Sequence, residues 1–202
     1  MNTMLATVVL LSAQVRITVD TSEVPDLHEW GEKAKALCEE WYPKISEYLA
    51  TPGFTPPQAV TIVFEKHRKG IAATSGTTIR VAADWVKRHP GDTGMIVHEL
   101  VHVVQSYRGG GPGWVTEGIA DYIRYFHYEK KTVFPPEQRR GSYRDGYRTA
   151  ASFLAWLAET HDKDLIRKLN AAMRGGSYSD DLFKEWTRKD LRTLWEDYVS
   201  AP

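Results

Sequence analysis

The spacing of hydrophobic positions changes along this 202-residue chain. Val15-Arg16-Ile17-Thr18-Val19 alternates apolar and polar residues with period 2, as a half-buried strand does. The apolar run at residues 4–11 either extends that strand or ends a leader peptide. No Lys or Arg precedes it, and Ser12-Ala13-Gln14 is a weak cleavage site. Beyond Ser22 the period lengthens. Leu27, Trp30, Ala34, Leu37, Trp41, Ile45 and Leu49 recur at helical spacing, with Pro25 in the first turn. Pro43 is predicted to kink this helix or divide it in two. A Pro- and Gly-containing loop follows at residues 51–57, then a buried strand at 59–64. Residues 70–74 and 77–82 read as a hairpin about Ser75-Gly76. Its second arm alternates and carries threonines, so it is predicted to be an exposed edge strand able to accept an extended peptide.

From residue 94 the pattern is helical. Residues 94–107 are apolar on nearly every side, the mark of a buried helix, with Asp92 and Thr93 as candidate N-caps. The Gly-rich stretch Arg108-Gly109-Gly110-Gly111-Pro112-Gly113 stops it. Residues 114–124 form a second helix, with Ile119, Tyr122, Ile123 and Phe126 as its apolar stripe. A polar loop at 130–145 precedes helices near 146–159, 163–173, 181–186 and 191–199. Strands early and helices late predict an α+β fold, with a small N-terminal mixed or antiparallel sheet packed on helices and a helical C-terminal half. Residues 14–202 are expected to form one domain, and 1–13 a leader remnant or first strand.

Composition narrows the partners. Acidic and basic residues balance at 26 each, which leaves no basic excess for nucleic acid or an anionic membrane. No segment is long enough to span a membrane. Cys38 is the only cysteine, so no intrachain disulfide forms, and it reads as a small buried hydrophobe. Oligomeric state leaves no trace in the sequence.

Polar residues inside the buried helix carry the chemistry. His98-Glu99-Leu100-Val101-His102 is an HExxH motif: two histidines one turn apart share a face and can reach one Zn²⁺. Glu99 can act as general base on an activated water. Catalytic zinc takes three protein ligands and one open position. Glu117 can be the third ligand, with Asp121, one turn on, hydrogen-bonding a ligand histidine from behind. The reverse assignment, Asp121 as ligand, is the alternative. The oxyanion formed by water attack on a carbonyl needs a donor. Tyr147 is the candidate, then Tyr143, with His127 and His161 behind them. His28, His67 and His89 read as surface or loop histidines. These residues predict one zinc per chain, no other cofactor, and a peptide or protein substrate. A silent zinc-binding recognition module and a zinc amidase for cell-wall peptides are the other readings. Glu99 weighs against the first, since a structural site has no use for a base.

The chain resembles the basic secretory protein family of metallopeptidases, in the thermolysin-like zincin group, from about residue 15 to 157. The resemblance rests on Val15-Arg16-Ile17-Thr18-Val19-Asp20, Trp41-Tyr42-Pro43, Ala72-Ala73-Thr74-Ser75-Gly76, the HExxH segment through Gln105, Gly113-Trp114, Glu117-Gly118-Ile119-Ala120-Asp121-Tyr122 and Gly146-Tyr147. It implies a zincin-type active-site helix and zinc-dependent endopeptidase chemistry, with Glu117 binding zinc and Asp121 orienting a histidine. It also implies a secreted or cell-envelope location. The chain departs from the basic members that named the family in being neutral overall.

Overall fold

In the computed structural model, residues 15–109, 111–131 and 141–201 are described. The expectations for residues 1–13 and for most of the 130–145 loop lie outside them. The N-terminal alternation forms strands β1 (Arg16–Asp20), β2 (Ala59–Glu65), β3 (Ala72–Ser75) and β4 (Thr78–Ala82). Their order in the sheet is β1-β2-β4-β3. β1 and β4 both run parallel to β2, and β3 is antiparallel to β4, so the sheet is mixed. Parallel pairing of β1 with β2 requires a crossover, and helix α1 (His28–Tyr48) supplies it. Ile17, Val60, Ile62, Phe64, Ile79 and Val81 are buried between the sheet and the helices.

This order corrects the expectation about the hairpin. β4, the arm favoured as an exposed edge, lies inside the sheet between β2 and β3, and β3 is the edge strand. Polar alternation on β4 reflects its two faces: Ile79 and Val81 are buried while Arg80 is exposed. Alternation reports faces and leaves neighbours undefined. The turn itself falls at Gly76-Thr77, with Gly76 at φ +58, which glycine tolerates as the first residue of a two-residue hairpin loop.

Pro43 does not divide α1, which runs unbroken through it. Pro43 and Glu39, whose carbonyl loses its helical partner, both lie on the exposed side of the helix, where losing that bond costs least. Cys38, Tyr42, Ile45 and Leu49 bury one stripe on either side of the proline. A short helix absent from the expectations, α2 (Ala83–Arg88), follows β4 directly. Six residues are too few to display a period.

Helix α3 (Gly94–Gln105) is the buried helix, two residues shorter than expected. Ser106 ends it in the left-handed region at φ 45, with its N–H donating to the His102 carbonyl. Neither Asp92 nor Thr93 caps it with a side chain. Asp92 instead accepts from Arg124 and from the Trp85 indole N–H, and the Thr93 hydroxyl pairs with Tyr128. Arg124 and Tyr128 lie on a π-helical turn, Ile123–Tyr128, that prolongs helix α4 (Gly113–Tyr122). The extra residue in that turn was not readable from the apolar stripe.

Helices α5 (Tyr147–Thr160), α6 (Leu165–Gly175), α7 (Asp181–Thr187) and α8 (Leu191–Ser200) complete the C-terminal half. Gly118 lets α5 approach α4 closely: a Cβ there would lie 3.0 Å from both Ala150 Cβ and Leu154 Cδ1. From α6, the Arg174 guanidinium donates to the carbonyls of Val104 and Gln105 and to that of Leu49. It thereby satisfies carbonyls left open at the ends of α3 and α1. Among the described residues, no helix is long and apolar enough to cross a membrane.

Candidate active site

Helix α3 contributes His98, Glu99 and His102, which the 3.6-residue period turns toward one side. The turn after Ser106 brings back α4, so that Glu117 faces both histidines. His98 Nε2 and His102 Nε2 lie 3.1 Å apart, and Glu117 Oε2 is 3.2 Å from the first and 3.3 Å from the second. Atoms bound tetrahedrally at about 2.0–2.1 Å from one ion lie about 3.3 Å from each other. This triangle therefore has the size of a tetrahedral face.

Proton positions strengthen the fit. His98 Nδ1 lies 2.7 Å from Asp121 Oδ1, so that nitrogen carries the hydrogen. Gln105 donates its amide N–H to the Thr116 carbonyl, which turns Oε1 toward His102 Nδ1 at 2.8 Å. Both imidazoles thus have their hydrogens on the outer nitrogens. In their neutral forms they present lone pairs to each other and to the Glu117 carboxylate. Three acceptors facing one point need a cation there, and these three residues could hold a metal ion.

Without a metal, a proton takes that role. Burial pushes the His98 imidazole down, but the hydrogen bonds of Asp121 and Glu117 outweigh it and raise its pKa to about 9. Burial likewise pushes Glu117 up, and its bonds to His102 and His98 win, leaving it at about 2. The site is therefore built to hold positive charge.

The other predicted residues divide cleanly. Glu99 is buried beside the triangle, and Thr74 Oγ1 of β3 lies 2.8 Å from Glu99 Oε2 and 2.9 Å from its carbonyl. Tyr147, at the start of α5, is 57% exposed and stacks over the His98 ring with centroids 6.2 Å apart. The negative charge of Glu117, then burial and the charges of Asp121 and Glu99, raise its hydroxyl above the ordinary phenol range, so it remains a donor. Tyr143 instead packs against Trp114, Phe153 and Trp195. The His127 ring packs at a tilt against Tyr48 and edge-on against Tyr122, and His161 packs at a tilt against Trp156. None of these three lines the cleft described next. His28, His67 and His89 are exposed, as expected.

A cavity of about 590 Å³ opens over the triangle. It is lined by Ala72, Ala73, Thr74 and Gly76 of the β3 hairpin and by Thr116, Glu117 and Tyr147. Gln105, Ser106, Tyr107 and Pro57 also line it. Sequence reasoning gave Gln105 and Thr74 no role beyond their place in the segments that carry the family resemblance. The three-residue spacing of Gln105 from His102 was a usable signal. The Thr74 contact crosses 25 positions and had none.

A family model described as a peptidase of plants and bacteria matches residues 27–198, so the chain belongs to this family, the basic secretory protein family. No curated protein and no solved structure gives a significant match.

Proposed function

We propose that this protein is a zinc-dependent peptidase that hydrolyses peptide bonds with Glu99 as general base. The observation that carries the reading is the triangle of three mutually facing acceptors, His98, His102 and Glu117, beside a buried carboxylate that is not part of it. Two imidazoles and one carboxylate are a donor set suited to catalytic zinc. Asp121 engages the opposite nitrogen of His98, which favours Glu117 over Asp121 as the third ligand. When bound, zinc supplies a Lewis acid that polarises the scissile carbonyl and acidifies water.

The chain's own residues do the rest. Glu99 takes a proton from the attacking water and returns it to the leaving amine. The Tyr147 hydroxyl donates to the oxyanion as the carbonyl becomes tetrahedral. Asp121 and Gln105 hold the two imidazoles in the tautomer that faces inward. An extended substrate adds to the open edge of β3 through main-chain hydrogen bonds, which carries its scissile carbonyl over the histidines.

The test combines metal analysis with casein hydrolysis. Purified protein should hold about one zinc per chain. Glu99→Gln should keep the metal and lose most activity. Full zinc occupancy in a His98→Ala/His102→Ala double variant would refute the ligand assignment. Loss of metal from Glu99→Gln would refute the base assignment.

A further inference from the structure

The edge strand and the proposed base meet in one residue. β3 pairs with β4 in the register Ala72↔Val81, Ala73↔Arg80, Thr74↔Ile79 and Ser75↔Thr78. The Ala82 N–H donates to the Ile71 carbonyl. In an antiparallel ladder, hydrogen-bonded and non-bonded pairs alternate. Counting from Ile71, the main-chain groups of Ala73 and Ser75 also turn inward to β4. Those of Ala72 and Thr74 point to the open edge. The other side of β4 agrees: the Thr61 N–H of β2 donates to the Thr77 carbonyl. Thr77, Ile79 and Val81 therefore turn toward β2, which leaves Thr78, Arg80 and Ala82 for β3.

The Thr74 side chain points another way. It shares a face with its opposite number, the fully buried Ile79, and so is directed at α3. Its hydroxyl has a single hydrogen to give. A carboxylate oxygen is a stronger acceptor than a backbone carbonyl, and Oε2 is the nearer of the two, so the hydrogen goes to Oε2. Among the described residues no protein donor bonds Glu99 Oε1, so in the proposed mechanism that oxygen is the one to take the water's proton.

We propose that Thr74 is a positioning residue that joins substrate docking to the base. Its main-chain N–H and C=O pair with the substrate backbone, and its hydroxyl fixes the rotamer of Glu99. A peptide bound in register on β3 is thereby aligned with the carboxylate that activates the water, because one residue holds both. The inference rests on the peptidase reading and deepens it.

The test uses the full, metal-loaded chain with its best-cleaved casein peptide. Thr74→Val keeps the shape and removes the hydroxyl. It should retain the metal, keep KM within about 3-fold and lower kcat about 10–100-fold, the loss typical of removing an orienting partner. Thr74→Ser should recover most of that loss. In a Glu99→Gln background Thr74→Val should cost nothing further, since the two residues act as a unit. A second readout needs no turnover. In Glu99→Gln, an uncleaved peptide should slow hydrogen exchange at the amides of Ala72 and Thr74 and leave Ala73 unchanged. If Thr74→Val does not fold, Thr74→Ala is read in its place with the same expectations.

Full kcat in a folded Thr74→Val, with Glu99→Gln inactive, would overturn the proposal and leave the peptidase reading standing. Peptide protection at Ala73 in place of Thr74 would overturn the docking half. Undiminished cleavage by both Thr74→Val and Glu99→Gln would remove the Glu99 base assignment and this inference together, and no metal-dependent cleavage by the wild type would remove the peptidase reading itself.

Discussion

Stripping the metal should make stability depend on pH in a defined window. In the metal-free protein the His98 pKa is raised from 6.5 to about 9. A raised folded-state pKa means that the folded chain binds the proton more tightly than the unfolded chain. Its contribution is complete below 6.5 and is lost as pH climbs through about 9. The shift corresponds to roughly 3 kcal/mol at about 1.4 kcal/mol per unit. Glu117 is depressed from 4.5 to about 2, so its contribution is present above 4.5 and lost as pH falls toward 2. Part of each shift is the same His98–Glu117 contact, so the two contributions overlap and do not add. Metal-free protein should therefore be most stable between about pH 4.5 and 6.5. Guanidinium unfolding at a series of pH values would measure this. The metal-loaded protein should lack the alkaline decline, because the ion displaces the proton. Calorimetry in buffers of different ionisation enthalpy should show proton release on metal binding near neutral pH. A Glu117→Gln apoprotein should show a shallower decline. Metal-free stability that is flat or rises from pH 6.5 to 9 would refute the assignment of a shared, buried proton to this triangle.

Three substitutions probe the supports of the site. Asp121→Asn leaves the contact with His98 Nδ1 but removes its charge. Metal affinity by competition with a chelator should fall about 10–100-fold, and unchanged affinity would count against an orienting role. Tyr147→Phe should lower kcat about 100–1000-fold with KM and metal content steady, as loss of an oxyanion donor does; a rise confined to KM would make Tyr147 a binding residue instead. Gly118→Ala puts a Cβ 3.0 Å from Ala150 Cβ and Leu154 Cδ1. Thermal melts should register a cost of about 1–3 kcal/mol. Because Tyr147 begins the displaced helix, kcat should fall while metal is retained, and an unperturbed kcat would show that α5 does not set the tyrosine's position.

The candidate metal ligands were readable in the chain because their relations are local. His98 and His102 are one turn apart, and their surroundings on α3 are so uniformly apolar that each polar residue stood out as needing a partner. Glu117 and Asp121 follow after one tight turn, again a turn apart. A helical period is enough to say that such residues share a side, and a short connection is enough to bring two helices face to face. The departures have local causes as well. Pro43 could stay inside α1 because Glu39, whose carbonyl it orphaned, lies on the exposed side of the helix. Asp92 failed as a cap because Arg124 and Trp85 already claim its oxygens.

The substrate side of the site depends on relations of another kind. Whether β3 or β4 forms the open edge is decided by which of them pairs with β2, and their alternation is equally compatible with either answer. Once β4 takes the inner place, three consequences follow from the period-2 geometry. The open edge passes to β3, the main chain of Ala72 and Thr74 faces it, and the Thr74 side chain turns toward α3 and meets Glu99. A register slip of one residue would turn the Thr74 side chain to the opposite face of the sheet, away from α3. The proposed base, Glu99, therefore depends on the sheet for its orientation, although it is carried by the helix. A change on β2 or β4 that alters the register of β3 should impair catalysis without touching a single metal ligand.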